Sequence, residues 1–86
     1  MKTENLTLYH FESCPFCRRV RDFLSANQIS VQMKDTLLDP AARQELLKLG
    51  GKTQVPALRM ADDTILYESS DIMQWFRDHV LVEANV

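Results

Sequence analysis

Leu6-Thr7-Leu8-Tyr9-His10-Phe11 is a run of β-forming and apolar residues, which predicts a strand covered on both faces. After Pro15 the spacing changes. Phe16, Val20, Phe23 and Leu24 recur at helical intervals, while Arg18, Arg19, Arg21 and Asp22 fall on the opposite side. This predicts a helix from Pro15 to near Asn27, with the proline in the first turn, where its missing N–H is no loss. Ile29-Ser30-Val31-Gln32-Met33 alternates strictly, as an edge strand with one covered face would. Strand, helix and strand within about thirty residues predict a right-handed βαβ unit.

Asp39-Pro40 reads as the cap of a second helix with Ala42, Leu46 and Leu49 inward, and Gly50-Gly51 as its stop. The second half has a different rhythm. Ala57 to Met60 and Thr64 to Tyr67 are short strands joined through Asp62-Asp63, a hairpin whose turn signal is weaker than Asn-Gly. A last helix is expected from Ser69-Ser70-Asp71, burying Ile72, either Trp75 or Phe76, and Val80. The order is β-α-β-α-β-β-α, an α/β arrangement with a parallel pair followed by an antiparallel hairpin. There is no repeat, low-complexity tract or linker.

The 86 residues read as one small domain, 1–86. A chain of this size buries about 60–65% of its unfolded surface, so its stability should be modest. With 45% hydrophobic and 26% charged residues, its composition is ordinary for a globular protein. A net charge of −2 leaves no basic stripe for nucleic acid. Met1 to Phe11 has neither the charged start and apolar run of a signal peptide nor the length of a membrane span. The chain's two cysteines, without a secretion signal, point to the reducing cytoplasm.

Those cysteines carry the candidate chemistry. Cys14-Pro15-Phe16-Cys17 sits where the first strand gives way to the first helix. Cα atoms three apart at a helix start lie about 5–6 Å from one another, inside the range a disulfide tolerates. Cys14 falls where an N-cap would, so its sulfur can accept free N–H groups of the first turn, which together with the helix dipole favour a thiolate. Cys17, one turn deeper, is expected to be more protected and less acidic. Lowering a thiol's pKa by about 3 raises its thiolate fraction at pH 7 roughly thirtyfold, while its nucleophilicity falls about 20-fold. Acidity therefore helps Cys14 chiefly as a leaving group. The favoured chemistry is exchange through a mixed disulfide held on Cys14. A zinc site would need two more ligands, and only His10 and His79 remain, without paired spacing, so no metal is expected. Both histidines read as packed or solvated.

Three pieces in order, Cys14-Pro15-Phe16-Cys17, Gly51-Lys52-Thr53-Gln54-Val55-Pro56 and the turn Glu68-Ser69-Ser70-Asp71, make the chain resemble a glutaredoxin from about Leu6 to Val80. The resemblance implies a thioredoxin-like fold with a four-stranded mixed sheet and three helices. It implies glutathione as the reducing co-substrate, and disulfide-bearing or glutathionylated proteins as substrates of a monomer. By position Cys14 resembles the nucleophile and Cys17 the resolving thiol. Pro56 matches the family's cis-proline, and the Val55 backbone would pair with an extended glutathione like a short added strand. Gln54 belongs to the same stretch. Ser69 and Ser70 open the last helix, whose N–H groups would hold the γ-glutamyl carboxylate, although simple capping fits them as well. Arg43 falls where glutaredoxins place a polar side chain for the glycyl carboxylate. Phe16 keeps the ring of the family's frequent tyrosine without its hydroxyl.

The chain departs from that pattern in two places. Phe11 stands where the family usually has a lysine, and Tyr67-Glu68 replaces its Gly-Gly. Glu68-Ser69 instead resembles the Glu-Ser pair with which glutathione transferase N-terminal domains hold the γ-glutamyl group. The departures leave two alternatives open. One is a redoxin reduced by thioredoxin reductase. The other is a non-enzymatic module in which Cys14 thiolates of a dimer, with two glutathiones, hold an iron–sulfur cluster.

Overall fold

The initial apolar run forms β1 (Thr7–His10), and all four of its residues are buried. The computed structural model describes residues 3–81. β1 has neighbours on both sides of a four-stranded sheet whose order is β2-β1-β3-β4. It pairs in parallel with β2 (Gln32–Asp35) and antiparallel with β3 (Ala57–Arg59), so that Leu8 lies opposite both Met33 and Leu58. β3 continues antiparallel into β4 (Ile65–Tyr67). The helices are α1 (Pro15–Ala26), α2 (Pro40–Gly50) and α3 (Ser69–Phe76), and α3 runs into a π-helical turn, Arg77–Leu81. The expected β-α-β-α-β-β-α order and mixed sheet are therefore present.

Alternation along the strands divides the core in two. Leu8 and Leu58 pack on one sheet face with Leu6, Val20, Leu24, Ile72, Met73 and Phe76, beneath α1 and α3. Tyr9 and Ala57 pack on the other with Ala42 and Leu46, beneath α2. Each fully buried leucine contributes about 1.5–3 kcal/mol relative to exposure. The sheet is thus sealed on both sides, which leaves its ends to carry chemistry.

Three readings need correction. The second strand starts three residues later than alternation suggested, at Gln32. The cause is the end of α1. Gln28 adopts a left-handed φ of 57°, the Gln28 N–H donates to the Ser25 carbonyl, and the Ile29 N–H donates to the Leu24 carbonyl at 2.9 Å. This is a Schellman close, and Ile29 serves as its apolar staple against the core. Ile29 and Val31 on that crossing segment are partly buried against the core, while Met33 on edge strand β2 is exposed.

Phe16 does not join the apolar stripe of α1. Cys17, Val20 and Leu24 face inward, whereas Phe16 is 59% exposed. Arg21, expected to face away, is largely covered. In α3, Phe76 takes the buried position and Trp75 lies at its edge, with their rings meeting edge to face.

The hairpin closes as a three-residue loop. The Asp63 N–H donates to the Met60 carbonyl, Asp63 takes a φ of 70°, and the Asp62 carboxylate accepts from both the N–H and the hydroxyl of Thr64.

Candidate active site

The site lies where β1 ends and α1 begins. Cys14 is the N-cap of α1, with extended backbone, and its Sγ accepts the Cys17 N–H at 3.2 Å. One of the first-turn donors that a helix leaves unpaired is thereby aimed at this sulfur. The Cys14 N–H donates in turn to the Phe11 carbonyl at 3.2 Å, which fixes the connecting loop. Both thiols are free. Cys14 is less open than the sequence suggested, at 7% exposure, but it remains the shallower of the two, since Cys17 is at 0%.

Burial, reinforced by the neighbouring Cys14, pushes the Cys17 thiol up to about 12. Cys17 is therefore held as the neutral thiol at neutral pH.

A groove of about 410 Å³ opens beside the pair, a volume within the roughly 300–1,000 Å³ range of small-molecule clefts. Phe16 and Arg19 from α1 form one wall. Gln54, Val55 and Pro56 come from the segment entering β3, and Glu68, Ser69 and Ser70 from the start of α3. The Val55–Pro56 peptide bond is cis. Glu68 has a φ of 74°, gives α3 no side-chain cap, and accepts from the Gln54 amide at 2.7 Å. The first-turn amides of α3 therefore have no partner from their own N-cap side chain, and such a helix start suits an anionic group.

Of the residues singled out from sequence, Phe16, Gln54, Val55, Pro56, Glu68, Ser69 and Ser70 come together in this groove, which reaches the cysteine pair through Phe16 while Cys14 and Cys17 themselves do not line it. Arg43 does not. It is exposed on α2, whose inward residues are Ala42 and Leu46, and it lies outside the groove lining. Arg19 was missed. The available signal was its place three residues after Phe16, on the same stripe of the helix.

Among the described residues, no group of three or more His, Cys, Asp or Glu side chains is arranged to hold a metal ion. No described helix is long and apolar enough to cross a membrane.

Residues 8–80 match the family model for the glutathione S-transferase N-terminal domain, and the chain belongs to that family. Its fold is thioredoxin-like. The chain is 35% identical over 54 residues to glutaredoxin 3 of Escherichia coli strain K12, covering 63% of this chain and 65% of the relative. It is 32% identical over 75 residues to prostaglandin E synthase 2 of Danio rerio, covering 87% of this chain but only 19% of the relative. These relatives thus extend beyond the part that the chain matches. Among solved structures, glutaredoxin 2 of Salmonella typhimurium in complex with glutathione superposes with a TM-score of 0.69 at 28% identity, covering 84% of this chain and 32% of that one.

Proposed function

We propose that this chain is a glutathione-dependent thiol–disulfide oxidoreductase acting through Cys14 and Cys17. The observation that carries the reading is the Cys14 sulfur at the N-cap of α1, accepting the Cys17 N–H, beside a groove that ends on an uncapped helix start. A relative of the same fold is known in complex with glutathione. The dithiol favours exchange over conjugation, because a second sulfur one turn away can release whatever the first has captured.

The reaction follows from these positions. The Cys14 thiolate attacks one sulfur of a substrate disulfide, that S–S bond breaks, and the other sulfur leaves as a thiolate that takes up a proton. The resulting mixed disulfide on Cys14 is cleaved by Cys17, which loses its proton as the Cys14–Cys17 disulfide forms. Two glutathione thiols then return the pair to dithiol and leave as glutathione disulfide. Where the substrate is itself a glutathione mixed disulfide, the freed protein thiol departs and a glutathione thiol can resolve Cys14 directly.

In the groove, the amides that open α3 at Ser69 and Ser70 hold the γ-glutamyl carboxylate, and Glu68 faces its ammonium group. The backbone beside Pro56 pairs with the peptide. Arg19, the cation of the groove wall, is better placed than Arg43 for the glycyl carboxylate. The 86 residues work as one unit in a reducing compartment, on glutathionylated or disulfide-bearing proteins.

A coupled assay tests the reading. With glutathione, glutathione reductase and a mixed-disulfide substrate, the protein should drive NADPH consumption, and Cys14→Ser should abolish it. Full turnover by Cys14→Ser would refute the nucleophile. Reduction by thioredoxin reductase but not by glutathione would refute the glutathione half.

A further inference from the structure

Four residues beyond Cys17 on α1, Arg21 departs from the wet face that its neighbours form. Its side chain is 18% exposed, against 75% for Arg18. The guanidinium reaches back over the loop that joins β1 to α1. Nη1 lies 3.0 Å from the Glu12 carboxylate, Nη2 donates to the Glu12 carbonyl at 3.3 Å, and Nη1 sits 3.5 Å from His10 Nδ1. Arg21 therefore grips the residues on both sides of Phe11. Phe11 in turn anchors the cysteine turn, since its carbonyl accepts the Cys14 N–H at 3.2 Å.

We propose that Arg21 is a positioning residue for the resolving step, clamping the Phe11 loop and setting a fixed positive charge beside Cys17 so that Cys17 can displace the group captured on Cys14. This rests on the dithiol reading above. It assigns to a residue inside α1 the cation that Phe11, standing in place of the family's lysine, does not supply.

The surroundings of Cys17 leave that task to Arg21. Its titratable and charged neighbours are Cys14 at the helix start and Arg21 itself. Beyond Arg21 stand His10 on β1, Glu12 in the loop and Asp35 at the end of β2. α3, packed on the other side of α1, presents only Glu68 and Asp71 at its start, both exposed. His10 cannot replace the arginine, because burial and then the Arg21 charge lower its pKa and keep the ring neutral. Burial of Cys17 opposes its ionisation, whereas Arg21 and the Phe11 backbone favour it. In the step itself the Cys17 proton goes to solvent and its sulfur attacks Cys14 Sγ. The bond from Cys14 to the captured group breaks, and that group leaves as a thiolate with the electron pair.

An aromatic disulfide that releases a coloured thiolate isolates this step without glutathione. One equivalent of dye leaves as the adduct forms on Cys14, and a second leaves as Cys17 resolves it. The second release is followed by stopped flow from pH 6 to 11. Arg21→Met should slow it about tenfold at pH 7, as a profile displaced by roughly one pH unit requires, and because Cys17 stays largely protonated through pH 11 the deficit should persist across the range. Arg21→Lys should restore most of the rate, and the first release should be unchanged in both variants. A second release from Arg21→Met that matches wild type overturns the proposal. So does a deficit that lysine does not repair, which marks a purely structural loss. A wild-type protein that releases only one equivalent overturns the dithiol reading itself. A failure of the coupled glutathione assay with two releases intact leaves Arg21's role standing.

Discussion

The Tyr9 hydroxyl on β1 donates to the Glu45 carboxylate on α2, joining the sheet to the helix that covers its second face. Lys34 of β2 meets the same carboxylate at 2.9 Å and Arg59 of β3 at 3.4 Å, so one side chain of α2 is tied to three strands. The Tyr9 bond, and after it Lys34, hold the Glu45 carboxyl below its usual value of 4.5. A depressed carboxyl contributes stability that is present above its unfolded value and is lost as pH falls through the folded one. Glu45 is about one-third exposed, so the expected loss in Glu45→Gln is about 1–2 kcal/mol at pH 7. In urea titrations the gap between wild type and variant should narrow as pH falls below 4.5. A gap that does not narrow there would contradict the ionic account.

At the alkaline end the same contact works in the opposite sense. Burial, then the hydrogen bond to Glu45, raises the Tyr9 phenol to about 12. A raised acid contributes stability that is intact below its usual pKa of 10 and is lost as pH climbs toward 12. Phenolate absorbance should show a tyrosine still largely un-ionised at pH 11 in the folded protein, and Tyr9→Phe should remove that component.

Cys14 and Cys17 differ in access as well as in role. In the folded, reduced protein, iodoacetamide should modify Cys14 and spare Cys17, which has no exposed surface and is held protonated. Peptide mass mapping should find both alkylated only after unfolding. Equal labelling of both in the native state would contradict the buried placement of Cys17.

Gly50, the last residue of α2, tolerates no side chain. A methyl group there would fall on the Tyr67 hydroxyl and also press on Ile65. The Tyr67 hydroxyl donates to the Lys52 carbonyl at 3.0 Å, and Lys52 lies over the Tyr67 ring. Gly50→Ala should therefore destabilise by about 1–3 kcal/mol despite alanine's better helix propensity. Tyr67→Phe in the same chain should recover part of that loss in a double-mutant cycle.

Phe16 offers surface to a ligand and little to the core. Phe16→Ala should change stability by less than about 0.5 kcal/mol. It should raise the KM for a glutathione mixed disulfide several-fold, with a smaller effect on kcat. An unaltered KM would remove Phe16 from the binding groove.

How much of this was legible along the chain depended on whether a residue's partner lay nearby. The cap of α2 at Asp39, the stop at Gly51 and the position of Cys14 at the start of α1 are local signals, and each element end falls there. The start of β2 was misjudged because alternation at Ile29 and Val31 looks the same whether it serves a ladder or a helix staple. Only the left-handed Gln28, a residue with no strong preference for that conformation, separates the two. Phe16 was read both as part of the apolar repeat of α1, in phase with Val20, and as a ring for the ligand. Yet Cys17, one position on, takes the inward direction. Arg21 and Arg19 were merged with Arg18 into one wet face, because Glu12, which Arg21 holds, and the groove that Arg19 lines come from other elements and leave no trace in helical spacing.

α3 opens on a residue, Glu68, that spends its carboxylate on Gln54 rather than on the helix. A guest bearing its own carboxylate would finish what the chain leaves undone, closing the coil as it docks. Occupancy and rigidity then rise together. At a hundred times the dissociation constant the domain would gain about 2.7 kcal/mol, so its melting temperature doubles as a gauge of what fills the groove.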